Sequence, residues 1–414
     1  MDFGVYTKLG VDTSFVFNPG KLTTILDASA GSSGKGKIGS FITEHADNWQ
    51  FCCNTFMPQA GHWVKLDDGR EFFYQTLNSC AYMHERYEKM YLGPGCAIEL
   101  PAFFREMEEN GVPSSKLGIS PIAAILQDID AQFERGEVTL DGDQLKEKNL
   151  GTMKSGSTCH GVGACKARKI LRRPNVKLAR DVPELKEFLC DVPSEIMTRL
   201  DQGQAGLLEI AQGFQLSYGL SQFYPYCTSR NCTVSAGLDD MMLPPKYAGN
   251  VILNLRTYPI RINNKKYIGE DGHHLTWEEI ESGVPHEVKV FNSGPGYEDQ
   301  REISWEEITK ISGSPNQIME MTSVTKLPRR VFTFSRGNLD QAIRFNDSGG
   351  KVYISVNFAN YVDYQMAGKR QYSGISEKFA EWLEENISPV CANNDNAEVR
   401  FIGTGALTDD TIIL

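Results

Sequence analysis

The 414-residue sequence predicts an α/β fold, on three observations. Short apolar runs alternate with amphipathic stretches along the chain, the pattern of buried strands and covering helices. The first clear run, residues 22–26, opens directly into a glycine-rich loop followed by lysines. Several later runs also end in polar or glycine-bearing loops, which is where open α/β sheets place their ligands.

Residues 22–26, 50–53, 89–92, 205–210 and 251–255 read as buried strands, each a short apolar run. Residues 351–357 read as a strand followed by a loop. Residues 101–110, 121–135 and 376–385 read as helices. Residues 183–189 read as a helix start, with Pro183 in the first turn and acidic residues beside it. Residues 260–300 are polar, with Asn263-Asn264-Lys265-Lys266 and Gly269-Glu270-Asp271-Gly272, and read as an excursion outside the core. There is no internal repeat, and length alone allows one large domain or two to three ordinary ones.

Composition narrows the function classes. A hydrophobic content of 41% is that of an ordinary globular protein. The net charge of −11 argues against general binding to nucleic acid or anionic lipid, so any anion site is a local exception. No run of about 18 apolar residues suggests a membrane span. The first residues lack a basic-then-apolar leader, so a cytoplasmic location is expected. The ten cysteines contain no C-x-x-C pair and read as reduced and mostly structural, and the seven histidines show no zinc spacing.

The loop Asp27-Ala28-Ser29-Ala30-Gly31-Ser32-Ser33-Gly34-Lys35-Gly36-Lys37 has the makings of a phosphate cradle. Glycines let backbone N–H groups approach oxyanions, a helix N-terminus adds positive field, and Lys35 and Lys37 add full charge. It is not a Walker A loop, since Gly36 stands where Ser or Thr is required. A plain Gly/Ser surface turn is the other reading. Gln59-Ala60-Gly61-His62 offers a histidine beside glycine. Gly156-Ser157-Thr158 through Gly161-Val162-Gly163 precedes Lys166, Arg168, Lys169, Arg172 and Arg173. Hydroxyls and guanidinium forks suit a phosphate, although a solvated basic helix face has the same composition. Glu209 to Gly213, Tyr224 to Asn231, and Thr325 with Arg329 and Arg330 are further polar strand ends and turns.

Taken in order, these segments resemble the adenylosuccinate synthetase family. Its G-D-E-G-K-G-K corresponds to Gly31–Lys37, and its N-A-G-H-T to Gln59–Trp63. Its G-T-T-x-x-G-I-G with A-R-R corresponds to Gly156–Gly163 with Leu171–Arg173. Its E-G-A-Q-G and Y-P-x-V-T-S-S-N correspond to Glu209–Gly213 and Tyr224–Asn231. Its T-T-T-G-R-P-R-R corresponds to Ser323–Arg330, its T-K-L-D to Asn357–Asn360, and its tail G-x-G to Gly403–Gly405. The match spans nearly the whole chain. It implies one domain over 1–414, with a large, mostly parallel central sheet flanked by helices, P-loop-NTPase-like, and smaller peripheral subdomains.

The resemblance also implies a two-step ligation. A nucleoside triphosphate phosphorylates O6 of a 6-oxopurine nucleotide, and the amine of L-aspartate displaces that phosphate, with Mg2+ bridging phosphates. On this basis Ser32, Lys35, His62 and Gln212 take the catalytic positions, His62 as general acid. Ser32, Ser33, Gly34, Lys35, Gly36, Lys37, Gly61, His62, Arg329, Phe358, Asn360, Gly403 and Gly405 fall on the ATP site. Ser32, Gln59, Ser157, Thr158, Arg172, Gln212, Thr228 and Leu327 fall on the acceptor site. Ser323, Val324, Thr325 and Arg329 fall on the aspartate site, and Ser32 and Gly61 on the metal. The family is a homodimer in which Arg172 would reach across the interface.

Four of the departures from the family pattern bear on substrate choice. Ser32 replaces an Asp, which leaves room and a hydroxyl acceptor for a purine 2-amino group. Phe358 and Asn360 replace a Lys and the Asp that reads guanine, which suits adenine, hence ATP or dATP. Leu327 replaces an Arg that reaches the ribose 2′-hydroxyl, which suits deoxyribose. Together they match the viral branch that joins aspartate to dGMP, as 2-aminoadenylosuccinate synthetases do. A divergent adenylosuccinate synthetase acting on IMP is the nearest alternative. A catalytically dead nucleotide-binding paralogue is another, and the retained Lys35, His62, Thr158, Arg172 and Arg329 weigh against it.

Overall fold

The computed structural model describes residues 11–146, 159–220, 222–270, 275–290, 292–322 and 326–414. Nine strands form one sheet. In chain order they are β1 (Leu22–Asp27), β2 (Phe51–Asn54), β3 (Lys89–Leu92), β4 (Leu117–Ile119), β5 (Gly206–Glu209), β6 (Ala248–Arg256), β7 (Val352–Asn357), β8 (Ala397–Gly403) and β9 (Thr411–Ile413). Across the sheet they run β9-β8-β7-β6-β1-β5-β2-β3-β4. Every pairing is parallel except β8 with β9. A parallel sheet needs cover on both faces, which is why its strands read as continuous apolar runs. Leu22 and Leu26 of β1 enter one core cluster and Ile25 the other, as period-two alternation requires. Helix α1 (Lys35–Glu44) buries Ile38, Phe41 and Ile42 on the Ile25 side, and α4 (Arg336–Phe345) buries Leu339, Ala342 and Ile343 on the other.

The order reverses at β1: the chain moves outward through β2, β3 and β4, returns at β5, then builds β6 to β9 on the opposite side. This is the topological switch point, where the crevice beyond the strand ends binds ligands. Asp27, Asn54, Glu209, Arg256, Asn357 and Gly403, the last residues of six strands, share that rim.

The strands read from sequence agree with the structure to within three residues at each end. The expected helix over 121–135 is shorter. Ala124–Ile125 pairs in parallel with Ala97–Ile98, and α2 (Asp128–Glu134) starts only after Gln127, whose N–H donates to the Asp130 carboxylate at 2.9 Å. The segment 183–189 is a 3-10 turn, Pro183–Phe188, rather than an α-helix. Within 260–300, Lys265–Gly269 pairs with His286–Val290 as a hairpin outside the large sheet, with a short helix, Trp277–Glu281, between them. No helix among the described residues is long and apolar enough to cross a membrane. None of the ten cysteines forms a disulfide.

Candidate active site

The loop after β1 is folded around its own carboxylate. Fully buried Asp27 accepts the Ser29 N–H at 2.7 Å and the Ser33 N–H at 3.0 Å, and its Oδ2 lies 3.7 Å from Lys35 Nζ. Gly31, Ser32 and Gly34 take left-handed backbone (φ 95°, 57° and 90°). At Gly34, which caps α1, the missing Cβ makes that conformation cheap. Lys35 donates to the Gln212 carbonyl at 2.5 Å. A Cβ on Gly213 would lie 2.2 Å from the Ser29 carbonyl oxygen, so glycine is what lets the loops after β1 and β5 touch. The buried Ser33 hydroxyl and Asn357 Oδ1 have no partner among the described residues. Gly34 and Gly403 lie against Asn357, and Gly405 against Asp410.

Lys37 departs from the expectation of a second phosphate lysine. Two residues along a helix from Lys35, it faces another way, and donates to the carbonyls of Gly405 (2.8 Å) and Asp410 (2.6 Å). Burial, opposed by Asp410 and reinforced by Arg370, pulls its ammonium down to about 7. It is a strut between α1 and the segment before β9, and Gly36 beside it packs under the Trp63 carbonyl.

His62 opens the hairpin His62–Lys65/Glu71–Tyr74, directly after Gly61. Its ring stacks on Phe56, centroids 3.8 Å apart. Nδ1 lies 3.0 Å from Glu209 Oε1, and Glu209 is steadied in turn by the Ser79 N–H at 3.2 Å and by the Ser79 hydroxyl. Burial holds the imidazole below its ordinary value, and Glu209 pulls the other way. Burial also opposes ionisation of Glu209, yet the His62 charge and the Ser79 hydrogen bonds outweigh it and keep the carboxyl below its usual range. With Nδ1 turned to Glu209, the buried Nε2, without a partner among the described residues, is the end that can carry a proton to a ligand. The sequence reading missed Glu209 as the partner of His62. Its signal was an acidic residue closing an apolar strand.

A third cluster joins the loop to the 320s. Ser32 is held at both ends: its carbonyl accepts from Arg256 at 2.8 Å, its hydroxyl from Arg329 at 3.3 Å. Arg256, fully buried at the end of β6, also grips both oxygens of Glu320, to which Tyr361 donates at 3.0 Å. Burial pushes the Glu320 carboxyl up, but Arg256 above all, then Arg329, keep it below the usual range. Arg329 Nε donates to the Met321 carbonyl at 3.1 Å, and no acceptor among the described residues meets its Nη2. Burial lowers its pKa against the pull of Glu320.

The adenylosuccinate synthetase family model matches residues 24–182. The N6-succino-2-amino-2′-deoxyadenylate synthase of Vibrio phage phiVC8 is 30% identical over 345 residues, covering 82% of this chain and 85% of that one. The chain belongs to the adenylosuccinate synthetase family. It is accordingly a C–N bond-forming ligase of purine nucleotide metabolism that uses a nucleotide co-substrate. The synthase of the same name from Acinetobacter phage SH-Ab 15497 is 28% identical over 417 residues (93% and 91% of the two chains). Among solved structures, the succinoaminodeoxyadenylate synthetase of cyanophage S-2L, bound to dGMP and to dATP as an energy donor, superposes with a TM-score of 0.70 at 26% identity, over 95% of each chain.

Of the residues expected at the acceptor, Gln59, Gln212 and Thr228 line one cleft of about 400 Å³, together with Ala30 of the loop and Arg261, whereas Ser32, Arg172 and Leu327 are not part of its lining. Gln212 has left-handed backbone (φ 66°), which turns its carbonyl to Lys35 while its side chain meets the Cys232 thiol at 3.8 Å. Gln59 Oε1 is buried without a partner among the described residues. Arg261, not singled out from sequence, donates to Ser293 and Tyr226 carbonyls and lacks a carboxylate partner among the described residues. Burial, with Arg330 beside it, lowers it to about 10. Leu327 is buried, its N–H held by the Thr322 hydroxyl at 3.0 Å. Phe358 is half-buried with left-handed backbone (φ 63°), and Asn360 is half-buried next to it. Ser157, Thr158, Ser323, Val324 and Thr325 lie outside the described residues.

The basic run 166–173 resolves into separate tasks. Arg168 is buried in a two-pronged pair with Asp130, at 2.8 and 3.0 Å. Lys169 holds two carbonyls, Lys166 faces Asp240 at 3.7 Å and Arg173 faces Asp141 at 3.4 Å. Arg172 alone of the five is exposed with no side-chain partner among the described residues. It follows α3 (Val162–Ile170) beside exposed Ile170 and Leu171.

Proposed function

We propose that this ligase joins L-aspartate to C6 of dGMP at the expense of ATP or dATP. The product is 2-amino-2′-deoxy-N6-succinyladenylate, a precursor of diaminopurine DNA. The observation that carries this reading is Ser32, a small neutral residue at the turn where the family pattern has Asp. The names of the phage relatives and the dGMP and dATP in the cyanophage structure support it.

Lys35, buried in the cradle, offsets charge on the γ-phosphate as its bond to the β-phosphate oxygen breaks, the nucleoside diphosphate leaves and a bond to O6 of the purine forms, the purine giving up its N1 proton to water. His62 Nε2 steadies O6. When the aspartate amine attacks C6, the C6–O bond breaks, the phosphate leaves with a proton from His62, and the amine loses one of its own. Glu209 favours the imidazolium that this step consumes. Arg329 keeps a free guanidinium edge for an aspartate carboxylate, joined by Ser323, Val324 and Thr325. Phe358 and Asn360 take the adenine of the donor. Ser32, Gln59, Gln212, Thr228 and Leu327 line the acceptor, with Ser157 and Thr158 on its phosphate.

The Ser33 hydroxyl, buried without a partner among the described residues, leaves a neutral oxygen of the kind magnesium takes in the loop; the Ser32 hydroxyl and the Gly61 carbonyl would hold the ion, with the substrate phosphates supplying most of the ligands. When bound, it offsets phosphate charge. Arg172, without a side-chain partner among the described residues and flanked by exposed apolar residues, fits the phosphate of a partner's acceptor in a homodimer. The enzyme works in the host cytoplasm.

Steady-state kinetics decide the substrate pair: dGMP with ATP should turn over far faster than IMP with GTP, and the reverse ranking would overturn the proposal. Ser32→Asp should cut dGMP turnover by about 100-fold or more through clash and lost pairing. Asp tolerates left-handed backbone, so the exchange tests chemistry rather than folding.

A further inference from the structure

Arg256 lies outside every site residue expected from sequence, yet its guanidinium meets four separate segments. It donates to the Ser32 carbonyl in the loop after β1 (2.8 Å) and to the Tyr258 carbonyl just beyond β6 (3.1 Å). It pairs with Glu320, and its carbon lies 3.8 Å from the centroid of Phe358 beyond β7. Its side chain is wholly buried, so solvent neither screens it nor replaces these contacts. Two of the segments are strained. Ser32 and Phe358 are both non-glycine residues with positive φ, and for a bulky aromatic that conformation costs of order 1–3 kcal/mol unless the surroundings impose it. The Phe358 carbonyl is fixed as well, accepting from Thr257 Oγ1 at 2.8 Å. With Arg256 on one face of the ring, the opposite face is the one a purine can use.

We infer that Arg256 is a positioning residue for both nucleotides: one guanidinium sets the aromatic platform for the donor base and the left-handed turn at Ser32 that shapes the acceptor pocket. This rests on the proposed assignment of Phe358 to the donor and Ser32 to the acceptor. A planar fork is needed, because an ammonium cannot hold a carboxylate, two carbonyls and a ring face together.

Equilibrium binding of dGMP, dATP, IMP and GTP, each measured alone by calorimetry on the full chain, tests it. Arg256→Lys should weaken the preferred donor and the preferred acceptor alike, each by about tenfold, the loss expected from one charge-assisted hydrogen bond. Phe358→Leu should weaken the donor by a similar factor and leave acceptor affinity within about twofold. If Arg256→Lys does not fold, Glu320→Gln, which keeps the shape and loosens the grip on the guanidinium, should weaken both nucleotides to a smaller degree. Loss of affinity for only one nucleotide, or a fall in melting temperature with both affinities intact, would overturn the inference. Preference of the wild type for IMP and GTP would overturn the substrate assignment instead, and the two-site effect would then be read with that pair.

Discussion

Around Lys35 and His62 each charge is answered within the chain: Asp27 and the Gln212 carbonyl for the lysine, Glu209 and through it Ser79 for the histidine. The acceptor cleft is built differently. Among the described residues Gln59 Oε1 has no partner and Arg261 no carboxylate partner, and Arg172, outside the lining of that cleft, stands exposed near the end of α3. The difference separates pre-organisation from recognition. Groups that act on a developing charge are fixed before the substrate arrives, because that avoids reorganisation during the reaction. On the proposed assignment, groups that bind the nucleotide are left to be completed by it, or by a second subunit.

The contrast breaks most readily at His62. His62→Ala should lower kcat by about 10²–10⁴-fold with little change in KM, the loss typical of a general acid. A rise in KM alone would move His62 to the recognition side. Arg172→Leu should do the converse, raising the acceptor KM by about 10- to 100-fold with kcat largely kept. Mixed with an inactive His62→Ala chain, it should regain part of its activity if the arginine serves the neighbouring subunit.

A smaller effect sharpens the electrostatics. Glu209 raises the His62 pKa against a larger lowering by burial. Glu209→Gln therefore lowers it further, so the protonated form is lost at a lower pH. The alkaline limb of the kcat profile should move towards acid; an unmoved limb would remove Glu209 from the proton path. A separate effect, on stability rather than turnover, concerns Lys37, whose native value of about 7 lies below its ordinary 10.5. Between those values the unfolded chain keeps a proton that the native one has released, so stability rises with pH there. Below about 7 both forms are protonated and the desolvation cost is felt in full. Denaturant titrations should show the wild type gaining on Lys37→Met from pH 7 towards 10.5, and parallel curves would show that the strut is never neutral.

The fold was largely legible because a parallel sheet buried on both faces writes its strands as apolar runs, from residues 22–26 to 351–357. The helix over 121–135 misread for the same reason: Ala124 and Ile125 are apolar at either period, and tertiary pairing with Ala97 and Ile98 decides. Lys35 and Lys37 look equivalent in a motif, yet a helix separates residues two apart onto different faces. Arg256, Glu320 and Arg261 carried no local signature. Their importance comes from contacts across long sequence separations, such as Arg256 with Ser32 and Glu320 with Arg256, which only the assembled rim reveals.

The strand order has a kinetic corollary. β1 lies between β5 and β6, so the strand that launches the phosphate loop gains both hydrogen-bonded neighbours only after residues 206–209 and 248–256 have been synthesised. Long-range parallel pairings of this kind delay folding, because the loop-closure entropy is lost before the contacts form. An amino-terminal fragment ending at residue 146 would carry Lys35 and His62 but neither flank of β1, and would be inert and prone to aggregate through the bare edges of its central strand.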